Sequence, residues 1–354
     1  MKLCIVMNSL AIGGSERKMV HVANFLIKSG LDVTVLSLKK KNDDFVLSLL
    51  DSGVKVDFAE GVPSIFRYFI LNRFDSFFLL NSYPALFSSI IRILNFSSVI
   101  CYLNNTSVLP SGYSSFKFVL LKLSARFVSS VVYGADSQRV HWHKNYGFSF
   151  VRNKVVYNGV DLDFYEKTKA DTSSCLKIAM VGQLRKEKNH IEAINVLKML
   201  VDNQVDARLS IVGGDKEGKV KAYLESLVDK NNLNEYVQFH GEVRNVKDIL
   251  IDSNVFLLCS NSVETFSNAV LEAMAIGLPV VISDIGGARE MVESGASGLV
   301  YEPGNTKELF EKLVSLTSTD YRNELIYNAR RRVEDKFSSE KMMNEYLKLA
   351  KGIL

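Results

Sequence analysis

The chain has 354 residues, of which 47% are hydrophobic and 23% are charged, and its formal net charge is +4. This length exceeds the range in which one hydrophobic core keeps growing, so two domains are expected. The composition is that of an ordinary globular protein, and five prolines without a low-complexity segment argue against long disordered linkers. The charge is unevenly distributed. Residues 1–165 carry 18 Lys and Arg against 11 Asp and Glu (+7), and the remaining residues carry 25 against 28 (−3).

The cysteines lack the paired spacing of a disulfide framework or a zinc knuckle; they are Cys4, Cys101, Cys175 and Cys259. Reduced thiols in a cytoplasmic protein are therefore expected. The N-terminal apolar run is too short for a signal peptide. No stretch of 18 residues is both strongly apolar and free of charge, so we expect no membrane span.

The first predicted unit begins with a buried strand, Leu3–Met7, and a helix from about Ser15 to Ser29. Between them, Gly13 and Gly14 would let the backbone approach a ligand closely. The G-x-G-x-x-G spacing of dinucleotide-binding proteins is absent, and the next strand, Val33–Leu38, ends in lysines rather than in a carboxylate for a ribose. An NAD site is excluded on both grounds.

Residues 61–130 are rich in Phe, Tyr, Leu and Ile, and they hold several cations against the single acid Asp75; the cations are Arg67, Arg73, Arg92, Lys117, Lys122 and Arg126. The segment 116–127 combines apolar bulk with cations, as an interfacial helix does. A core helix with a solvated edge is the alternative. We expect this face to contact an anionic membrane, and we expect no nucleic acid because no recognised binding motif accompanies the patch.

Two patterns resemble metal sites, but neither predicts one. His141 and His143 lie two positions apart, and side chains at that spacing on a helix point in different directions. Asp161 and Asp163 match a D-x-D pattern, but we expect Asp161 to form hydrogen bonds within its own turn. No metal ligand is predicted from either pattern.

The second unit is predicted to begin with the strand Leu176–Val181. Arg185, Lys186 and Lys188 follow at its carboxyl end, and three cations within four residues suit a diphosphate. The βα units that come next alternate strands and helices of similar length. This alternation predicts a parallel, doubly wound sheet.

One stretch organises the second unit: a strand (Val255–Cys259), a polar turn, a helix from about Ser267 to Ile276, and a strand (Val280–Ser283). Glu264 lies in the turn and Glu272 lies in the helix, with seven residues between them. The first N–H groups of a helix lack intrahelical partners and attract anions. Strand, turn and helix start together predict an anion site at this end of the sheet.

A phosphate could rest on the amides near Phe266, Ser267 and Asn268. Glu264 and Glu272 would then bind neutral hydroxyls, because carboxylates repel phosphate. The combination predicts a ligand with phosphates and many hydroxyls, such as a sugar nucleotide. The alternative is that the carboxylates only complement the helix dipole, which is worth roughly 0.3–1 kcal/mol.

This Glu-x7-Glu stretch resembles the signature of the retaining GT-B glycosyltransferases, in particular family 4 (group 1 type). Residues 13–17 resemble the family's GGxER loop, and residues 158–161 resemble its NGVD turn between domains. The resemblance implies two Rossmann-like, doubly wound parallel-sheet domains that face each other across a cleft. The implied domains are residues 1–165 for the acceptor and 166–336 for the nucleotide sugar, with a helix in 337–354 crossing back to the first.

The resemblance also implies a role for each candidate residue. Glu264 would contact the donor sugar, Glu272 the ribose, the Gly14 N–H the diphosphate, and the backbone around Val243 the base. Lys188 fits the family's GRL…K pattern and would act on the diphosphate. Gln183 replaces the arginine of that pattern, and Arg185 would supply the missing charge.

The implied activity is transfer of a sugar, with retention of anomeric configuration, to a saccharide or lipid-linked saccharide in cell-envelope polysaccharide synthesis. No metal or other cofactor is implied; the co-substrate would be a nucleoside-diphosphate sugar, with UDP favoured over GDP. Asn104 and Asn105 stand where family members often carry a histidine. Two alternatives remain open: a nucleotide-sugar epimerase or hydrolase, and a non-catalytic partner subunit.

Overall fold

The computed structural model describes residues 1–10, 14–39, 44–96, 98–105, 114–165, 174–215, 218–243 and 245–353. The chain divides into two compact units. The first comprises Met1–Tyr157 and Met342–Leu354, and the second comprises Asn158–Lys341. No helix in the described part of the chain combines the length and the apolar character needed to cross a bilayer.

The first unit alternates strands and helices. In chain order they are β1 (Lys2–Met7), α1 (Gly14–Lys28), β2 (Asp32–Ser37), α2 (Asp44–Ser48), β3 (Lys55–Phe58), α3 (Val62–Leu71), β4 (Ser76–Leu80), α4 (Ser82–Ala85), α5 (Ser88–Leu94), β5 (Val99–Asn104), α6 (Ser115–Ala125), β6 (Ser130–Tyr133), α7 (Asp136–Tyr146) and β7 (Asn153–Val155). Within the described residues the strands form one parallel sheet in the order β3-β2-β1-β4-β5-β6-β7.

Both faces of this sheet are buried, because alternate residues of each strand point to opposite sides. Leu3 and Ile5 of β1 pack on the face covered by α1, whereas Cys4 and Val6 pack on the face that holds Phe69 of α3. The core of the first face also contains side chains of the last helix, α15 (Ser339–Ala350). Strands buried on both faces explain the continuous apolar runs of the sequence.

The second unit repeats the pattern. Its elements are β8 (Leu176–Val181), a 3-10 helix η1 (Lys186–Lys188), α8 (His190–Asp202), β9 (Ala207–Val212), α9 (Lys219–Lys230), β10 (Val237–Gly241), α10 (Lys247–Ile251), β11 (Val255–Leu258), α11 (Asn268–Ile276), β12 (Val280–Ser283), α12 (Ala288–Met291), β13 (Leu299–Tyr301), α13 (Thr306–Ser315) and α14 (Thr319–Lys336). Over the described residues its parallel sheet has the order β10-β9-β8-β11-β12-β13. The predicted fold of two Rossmann-like, doubly wound parallel sheets is confirmed.

Two of the three arginines at positions 330–332 of α14 donate to backbone carbonyls of other elements. Arg330 donates from Nη1 to the carbonyl oxygens of Tyr165 (2.7 Å) and Ala275 (2.5 Å), and Arg332 donates to the carbonyls of Glu290 and Met291. These guanidinium groups satisfy carbonyls near the ends of α11 and α12, which have no intrahelical partner. Of the three arginines, Arg331 is the exposed one.

Candidate active site

The site is organised by the order of strands in the second sheet. The sequence order runs outward from β8 to β9 and β10 on one side, and then resumes with β11 on the other side. In such sheets, ligands bind at the carboxyl ends of the strands where the order reverses. The loops after β8 and β11 therefore frame the predicted binding position, and these two loops carry Lys188 and Glu264.

Lys188 and Glu264 form a close ion pair across this position. Lys188 Nζ lies 2.5 Å from Glu264 Oε2, and the two side chains are only 23% and 13% exposed. The hydroxyl of Ser260, which is fully buried, donates to the same carboxylate oxygen at 3.3 Å. The structure thus brings together two of the predicted catalytic residues, and it adds Ser260, which the sequence did not single out.

Backbone contacts hold the two loops together. The N–H of Asn261 donates to the carbonyl of Glu187 (3.0 Å), which joins the loop after β11 to η1. The hydroxyl of Ser283, at the end of β12, donates to the carbonyl of Ser260 (2.6 Å). Lys188 and Glu264 are therefore fixed by neighbouring strand ends rather than by their own contact alone.

A glycine-containing turn after β12 packs against the backbone of the loop that carries Glu264. Gly286 has φ +60, and a Cβ at this position would overlap the carbonyl oxygen of Glu264. The next residue, Gly287, donates its N–H to the carbonyl of Thr265 (2.9 Å). Only glycine combines this φ with so close an approach of two backbones, so Gly286 positions Glu264.

The helix α11 begins directly after this loop, as predicted within one residue. Ser267 is its N-cap residue, but the Ser267 side chain does not cap the helix. Among the described residues, the N–H groups of Ser267 and Asn268 have no hydrogen-bond acceptor, and Asn268 is exposed. Phe266 is buried, and its carbonyl accepts from Asn158 Nδ2 at 3.0 Å. An anion could thus reach the amides of Ser267 and Asn268.

Glu272 lies one turn inside α11 and is half-buried. Burial of Tyr165, together with the charge of Glu272 and a hydrogen bond between the two side chains, raises the pKa of the Tyr165 hydroxyl well above its usual range. Arg330 anchors the Tyr165 carbonyl, so the ring is carried on a fixed turn. The sequence did not identify Tyr165, because the contact joins positions more than 100 residues apart.

Two predicted residues of the second unit, Arg185 and Val243, lie outside this cluster. Arg185 is exposed, and none of the described residues forms a hydrogen bond or ion pair with its guanidinium group. Val243 is half-buried in the loop after β10, two strands from β8. Gly14 belongs to the first unit, where it opens α1; a Cβ there would meet nothing within 4 Å. Its neighbour Gly13 lies outside the described residues.

Two buried ionisable residues lie in the first turn of α8, directly after the loop that carries Arg185, Lys186 and Lys188. His190, at the start of α8, is 2% exposed, and burial together with the charge of Lys188 lowers the pKa of its imidazole to about 4. Burial raises the pKa of Glu192, although its carboxylate accepts hydrogen bonds from Asn189 (2.8 Å) and Tyr301 (3.1 Å). Through Glu192, these bonds connect Asn189, the residue after Lys188, to Tyr301 on the edge strand β13.

The patterns that resembled metal sites have other partners. The imidazole of His141 packs against Tyr146, while that of His143 packs against Tyr133. Asp161 Oδ1 accepts from the N–H groups of Asp163 (3.1 Å) and Phe164 (3.0 Å), which confirms its predicted role in its own turn. Within the described residues, no three His, Cys, Asp or Glu side chains are grouped to hold a metal ion.

Comparison with known proteins places this geometry in context. Residues 166–332 match the family model described as glycosyl transferases group 1. The chain is similar to the N-acetyl-alpha-D-glucosaminyl L-malate synthase of Bacillus anthracis, with 29% identity over 204 residues (54% of this chain and 52% of that protein). It is also similar to the capsular polysaccharide biosynthesis glycosyltransferase CapM of Staphylococcus aureus, with 29% identity over 188 residues (49% and 47%). The matches span about half the length of these relatives.

Solved structures resemble the whole fold. HepE of Anabaena in complex with UDP has a TM-score of 0.88 and 18% identity, and the match covers 99% of this chain and 100% of that chain. A glycosyltransferase from Rickettsia africae has a TM-score of 0.83 and 18% identity, with 99% and 98% covered. Residues 166–332 are therefore similar to the group 1 glycosyl transferases, and the chain has the fold of the GT-B glycosyltransferases.

Proposed function

We propose that the protein is a glycosyltransferase that moves a sugar from a nucleoside-diphosphate sugar to a saccharide or lipid-linked saccharide acceptor, with retention of anomeric configuration. One observation carries the proposal: Lys188 and Glu264 meet at the strand-order reversal of the second sheet, beside unpaired amides of α11. A cation and helix amides suit a diphosphate, and carboxylates suit sugar hydroxyls.

The chemistry follows from where charge develops. As the bond between the anomeric carbon and the phosphate oxygen breaks, negative charge grows on the diphosphate and positive charge grows on the sugar ring. Lys188, Arg185 and the amides of Ser267 and Asn268 would stabilise the leaving group. Each such donor is worth roughly 3 kcal/mol by analogy with oxyanion holes. Glu264 would hold the sugar and favour its positive charge.

Retention is proposed to proceed by displacement on the face from which the diphosphate leaves. The acceptor oxygen forms the new bond to the anomeric carbon, and its proton passes to the departing phosphate oxygen. Glu264 is engaged by Lys188 and Ser260, so it is assigned an electrostatic role rather than that of a nucleophile. Because cationic side chains supply the positive charge, we expect transfer to continue in the presence of EDTA.

Relatives support the substrate class. One similar protein is named as a Campylobacter jejuni N-acetylgalactosaminyltransferase acting on a diphospho-undecaprenol saccharide, with 30% identity over 213 residues (59% of this chain and 56% of that protein). HepE has been solved with UDP and with UDP-glucose. We infer a UDP-sugar rather than a GDP-sugar donor, and a saccharide of a cell-envelope polymer as acceptor, in the cytoplasm at the inner face of the membrane.

A thermal-shift screen across UDP- and GDP-sugars tests the donor proposal. At least one UDP-sugar should raise the melting temperature, since a ligand that binds only the folded state stabilises it. Calorimetry with the same compounds discriminates the non-catalytic alternative, for which no binding is expected. Rapid turnover of donor without any acceptor would instead favour an epimerase or a hydrolase.

The membrane contact is proposed from the outer face of α6. Its exposed apolar residues recur at helical spacing on one stripe: Phe116 (76% exposed), Val119, Leu120, Leu123 and, just beyond the helix, Phe127. The opposite stripe, with Leu121 and Ala125, is buried in the core. A surface helix normally presents polar residues outward, so a second apolar stripe marks a contact surface.

Neighbouring helices extend this surface. The helix α5 contacts both α3 and α6. Ile93 of α5 (73%) and Phe96, two residues beyond that helix (82%), are exposed apolar residues, as are Phe66 and Ile70 of α3. Arg67, Lys117 and Arg126 are exposed on the same elements and would attract anionic lipid, at about 1 kcal/mol per cation near the surface.

Arg92 is not available for membrane contact, although it was predicted among the cations of residues 61–130. Its guanidinium group donates to the carbonyls of Phe96, Ser98 and Phe127, so it joins the helix ends instead of facing a membrane. Burial lowers the pKa of this group. Arg73 likewise donates to the carbonyl of Leu94. The cations that remain for lipid contact lie on α3, on α6 and directly after α6.

Sedimentation with vesicles tests this surface. We expect the protein to sediment with vesicles containing phosphatidylglycerol, to bind less at high salt, and to bind weakly to pure phosphatidylcholine. The double variant Phe116→Ser, Leu123→Ser should lose binding, because it removes apolar insertion without touching the core. Val140→Ser, which changes an exposed apolar residue of α7, is the control. Equal sedimentation of the double variant and the control would contradict the proposal.

A further inference from the structure

A second connection joins the loops that carry Lys188 and Glu264, and it runs through the core of the second unit. It starts at Asn189, which directly follows Lys188, and it ends at Ser260, whose hydroxyl donates to Glu264 at 3.3 Å. Three buried side chains lie between these ends: Glu192 (4% exposed), Tyr301 (1%) and Cys259 (0%). The tyrosine and the cysteine belong to the core between the sheet and α8, the helix that carries the glutamate.

Asn189 fixes the backbone at the start of this connection. It has φ 53 and ψ 47, a left-handed conformation that asparagine tolerates, and it is both the C-cap residue of η1 and the N-cap residue of α8. Its N–H donates to the carbonyl of Lys186 (3.2 Å), and its Nδ2 donates to Glu192 Oε2 (2.8 Å). The Glu192 N–H donates in return to the carbonyl of Asn189 (3.0 Å). The backbone that carries Lys188 is therefore bonded to Glu192.

Tyr301 continues the connection from α8 to the strands. Its hydroxyl donates to the same oxygen, Glu192 Oε2, at 3.1 Å. Tyr301 belongs to the edge strand β13, whereas Cys259 directly follows β11, two strands away in the sheet. The side chains nevertheless meet. Burial raises the pKa of the Cys259 thiol, a hydrogen bond with Tyr301 opposes that rise, and the charge of Glu192 adds to it.

These contacts close a ring that contains the ion pair. Successive members of the ring are either bonded side chains or neighbours in the chain, and in order they are Lys188, Asn189, Glu192, Tyr301, Cys259, Ser260 and Glu264. A shift of one loop against the other would break a hydrogen bond in the core, where water cannot replace it. The ring therefore couples the position of the cation to the position of the carboxylate.

The carboxylate of Glu192 is costly to bury. Among the described residues, no lysine or arginine forms an ion pair with it, and burial raises its pKa. The residues that follow it on α8 face the same core with apolar side chains: Ala193, Ile194, Val196 and Leu197. An apolar side chain of similar volume would pack at this position at a lower cost. Stability alone therefore does not account for an acidic residue here.

Alignment of the two loops matters for the chemistry of the site. Lys188 acts on a diphosphate only if its ammonium group lies where the negative charge develops, and Glu264 must face the sugar of the same ligand. A catalytic group that is misplaced by about 1 Å can lower the rate by about 10². Side chains that hold such groups from the core therefore affect turnover without contacting the ligand.

We propose that Glu192 and Tyr301 are positioning residues of the donor site. Through hydrogen bonds in the core they align the loop of Lys188 with the loop of Glu264, so that the cation and the carboxylate meet the phosphate and the sugar of one ligand together. The inference rests on the proposed transferase function and deepens it, because it assigns the alignment of two site residues to a pair of core side chains.

Competitive acylation with N-hydroxysuccinimidyl acetate, measured by mass spectrometry, tests this without a substrate. Acylation of Lys188 requires its amine to leave Glu264 and to lose a proton, so the rate reports how firmly the two loops are aligned. Tyr301→Phe removes one oxygen, and Glu192→Leu replaces the carboxylate by an apolar group of similar size. Each should raise the rate at Lys188 about three- to tenfold, the effect of one lost hydrogen bond. The exposed Lys186 should react at an unchanged rate.

Melting temperatures separate alignment from folding. Glu192→Leu should melt at or above the temperature of the unaltered protein, because an apolar replacement of a buried charge is often neutral or stabilising. Tyr346→Phe, which removes a buried hydroxyl from the first unit, is the matched control and should leave the acylation of Lys188 unchanged. If Glu192→Leu fails to fold, Tyr301→Phe decides alone. Acylation of Lys188 at the unaltered rate in the folded variants would overturn the positioning role.

A double-mutant cycle tests whether Tyr301 acts through Lys188. With a UDP-sugar identified by thermal shift and octyl β-D-glucoside, Tyr301→Phe should lower kcat about three- to tenfold and leave the KM of the donor nearly unchanged. In the Lys188→Ala background its effect should be much smaller, since residues that act as a unit are not additive. Equal losses in both backgrounds would overturn the inference. Absence of transfer with every UDP-sugar would contradict the proposed function, while the acylation rates would still decide the positioning role.

Discussion

Lys188 and Glu264 are held in contact where both side chains are largely shielded from water. Removing either partner of such a pair leaves the other charge poorly solvated, so each residue depends on the other. A bound diphosphate would offer Lys188 a second anionic partner, while Ser260 continues to hold Glu264. The pair is therefore suited to a ligand that carries a phosphate next to a sugar.

Variants of Lys188 and Glu272 should affect different kinetic quantities. Lys188→Ala should lower kcat about 10²- to 10³-fold, because it removes a donor that acts on charge developing in the transition state. Glu272→Ala should instead raise the Kd for the nucleotide about tenfold, because it removes hydrogen bonds made in the ground state. Steady-state kinetics and calorimetry measure the two effects. Lys186→Ala, on the exposed side of η1, is the control, and wild-type kinetics in both site variants would show the assignment to be wrong.

His190 should make folding stability depend on pH. Its pKa is about 4 in the folded protein and about 6.5 when unfolded, so the unfolded chain binds more protons between these values. Stability should therefore fall as pH is lowered through this window, by about 3 kcal/mol in total from this group. Urea unfolding of His190→Gln and the unaltered protein should diverge between pH 6.5 and 4. His21→Gln, on an exposed site, should not change the profile, and a pH-independent difference for His190→Gln would contradict the assignment.

At the residue scale, the sequence identified candidates whose pattern lies within one short stretch of the chain. Glu264 and Glu272 are separated by seven residues, and Lys188 follows a strand within a short cationic loop, so the sequence singled out all three as candidates. Ser260 and Tyr165 were missed for different reasons. Ser260 reads as an ordinary polar residue after a strand, and the contact of Tyr165 with Glu272 joins distant parts of the chain.

At the scale of elements, α14 is bonded through arginine to the ends of α11 and α12. Arg330→Ala should lower the stability of the second unit by about 2–3 kcal/mol, because it leaves the carbonyls of Tyr165 and Ala275 without their charged donor. Arg331→Ala, next to it on the exposed face of the helix, is the matched control and should change stability by less than about 0.5 kcal/mol. Thermal unfolding compares the two variants. Equal melting temperatures of the Arg330→Ala and Arg331→Ala variants would show that the hydrogen bonds of Arg330 do not stabilise the second unit.

The elements themselves were largely predictable. The strands at 176–181 and 280–283 have the predicted bounds, and α1 begins and ends one residue earlier than predicted. Continuous apolar runs between turn residues identify buried strands because both faces of the sheet are covered. The partners of Arg330 and Arg332 could not be predicted, because these carbonyls come from other elements and helical periodicity does not record them.

At the scale of the whole molecule, the first unit is completed by the end of the chain. Met342, Met343, Tyr346 and Leu349 of α15 pack into its core, and Glu345 pairs with Lys154 at 2.8 Å. Truncation after Lys341 should destabilise the first unit by several kcal/mol, since each buried apolar side chain contributes roughly 1.5–3 kcal/mol.

Calorimetry and limited proteolysis of the truncated chain test this. The first unit should unfold at a lower temperature and be cleaved first, whereas the core of the second unit, which contains none of these residues, should be unaffected. The double variant Lys154→Ala, Glu345→Ala controls for the ion pair, which should contribute less than the apolar side chains. Unchanged melting of the truncated chain would contradict the assignment of α15 to the first core.

Fold class could be read at this scale because alternation of strands and helices repeats along the whole chain. The hydrogen bonds from Lys18 Nζ to Asn105 Oδ1 and from the Asn105 N–H to Asn81 Oδ1 could not be predicted, since they depend on which strands are neighbours in the sheet. Strand order decides which loop ends meet, and nothing in the local pattern of each loop records it. The site of the second unit was accessible only because its residues also form a recognisable stretch.

The proposed sugar transfer is tested most directly by proton NMR of a reaction mixture that contains a UDP-sugar identified by thermal shift, an octyl glycoside and the protein. We expect a new anomeric signal with the configuration of the donor, released UDP in equal amount, and loss of both with Lys188→Ala. Donor breakdown at the same rate without glycoside, or full activity in Lys188→Ala, would contradict it.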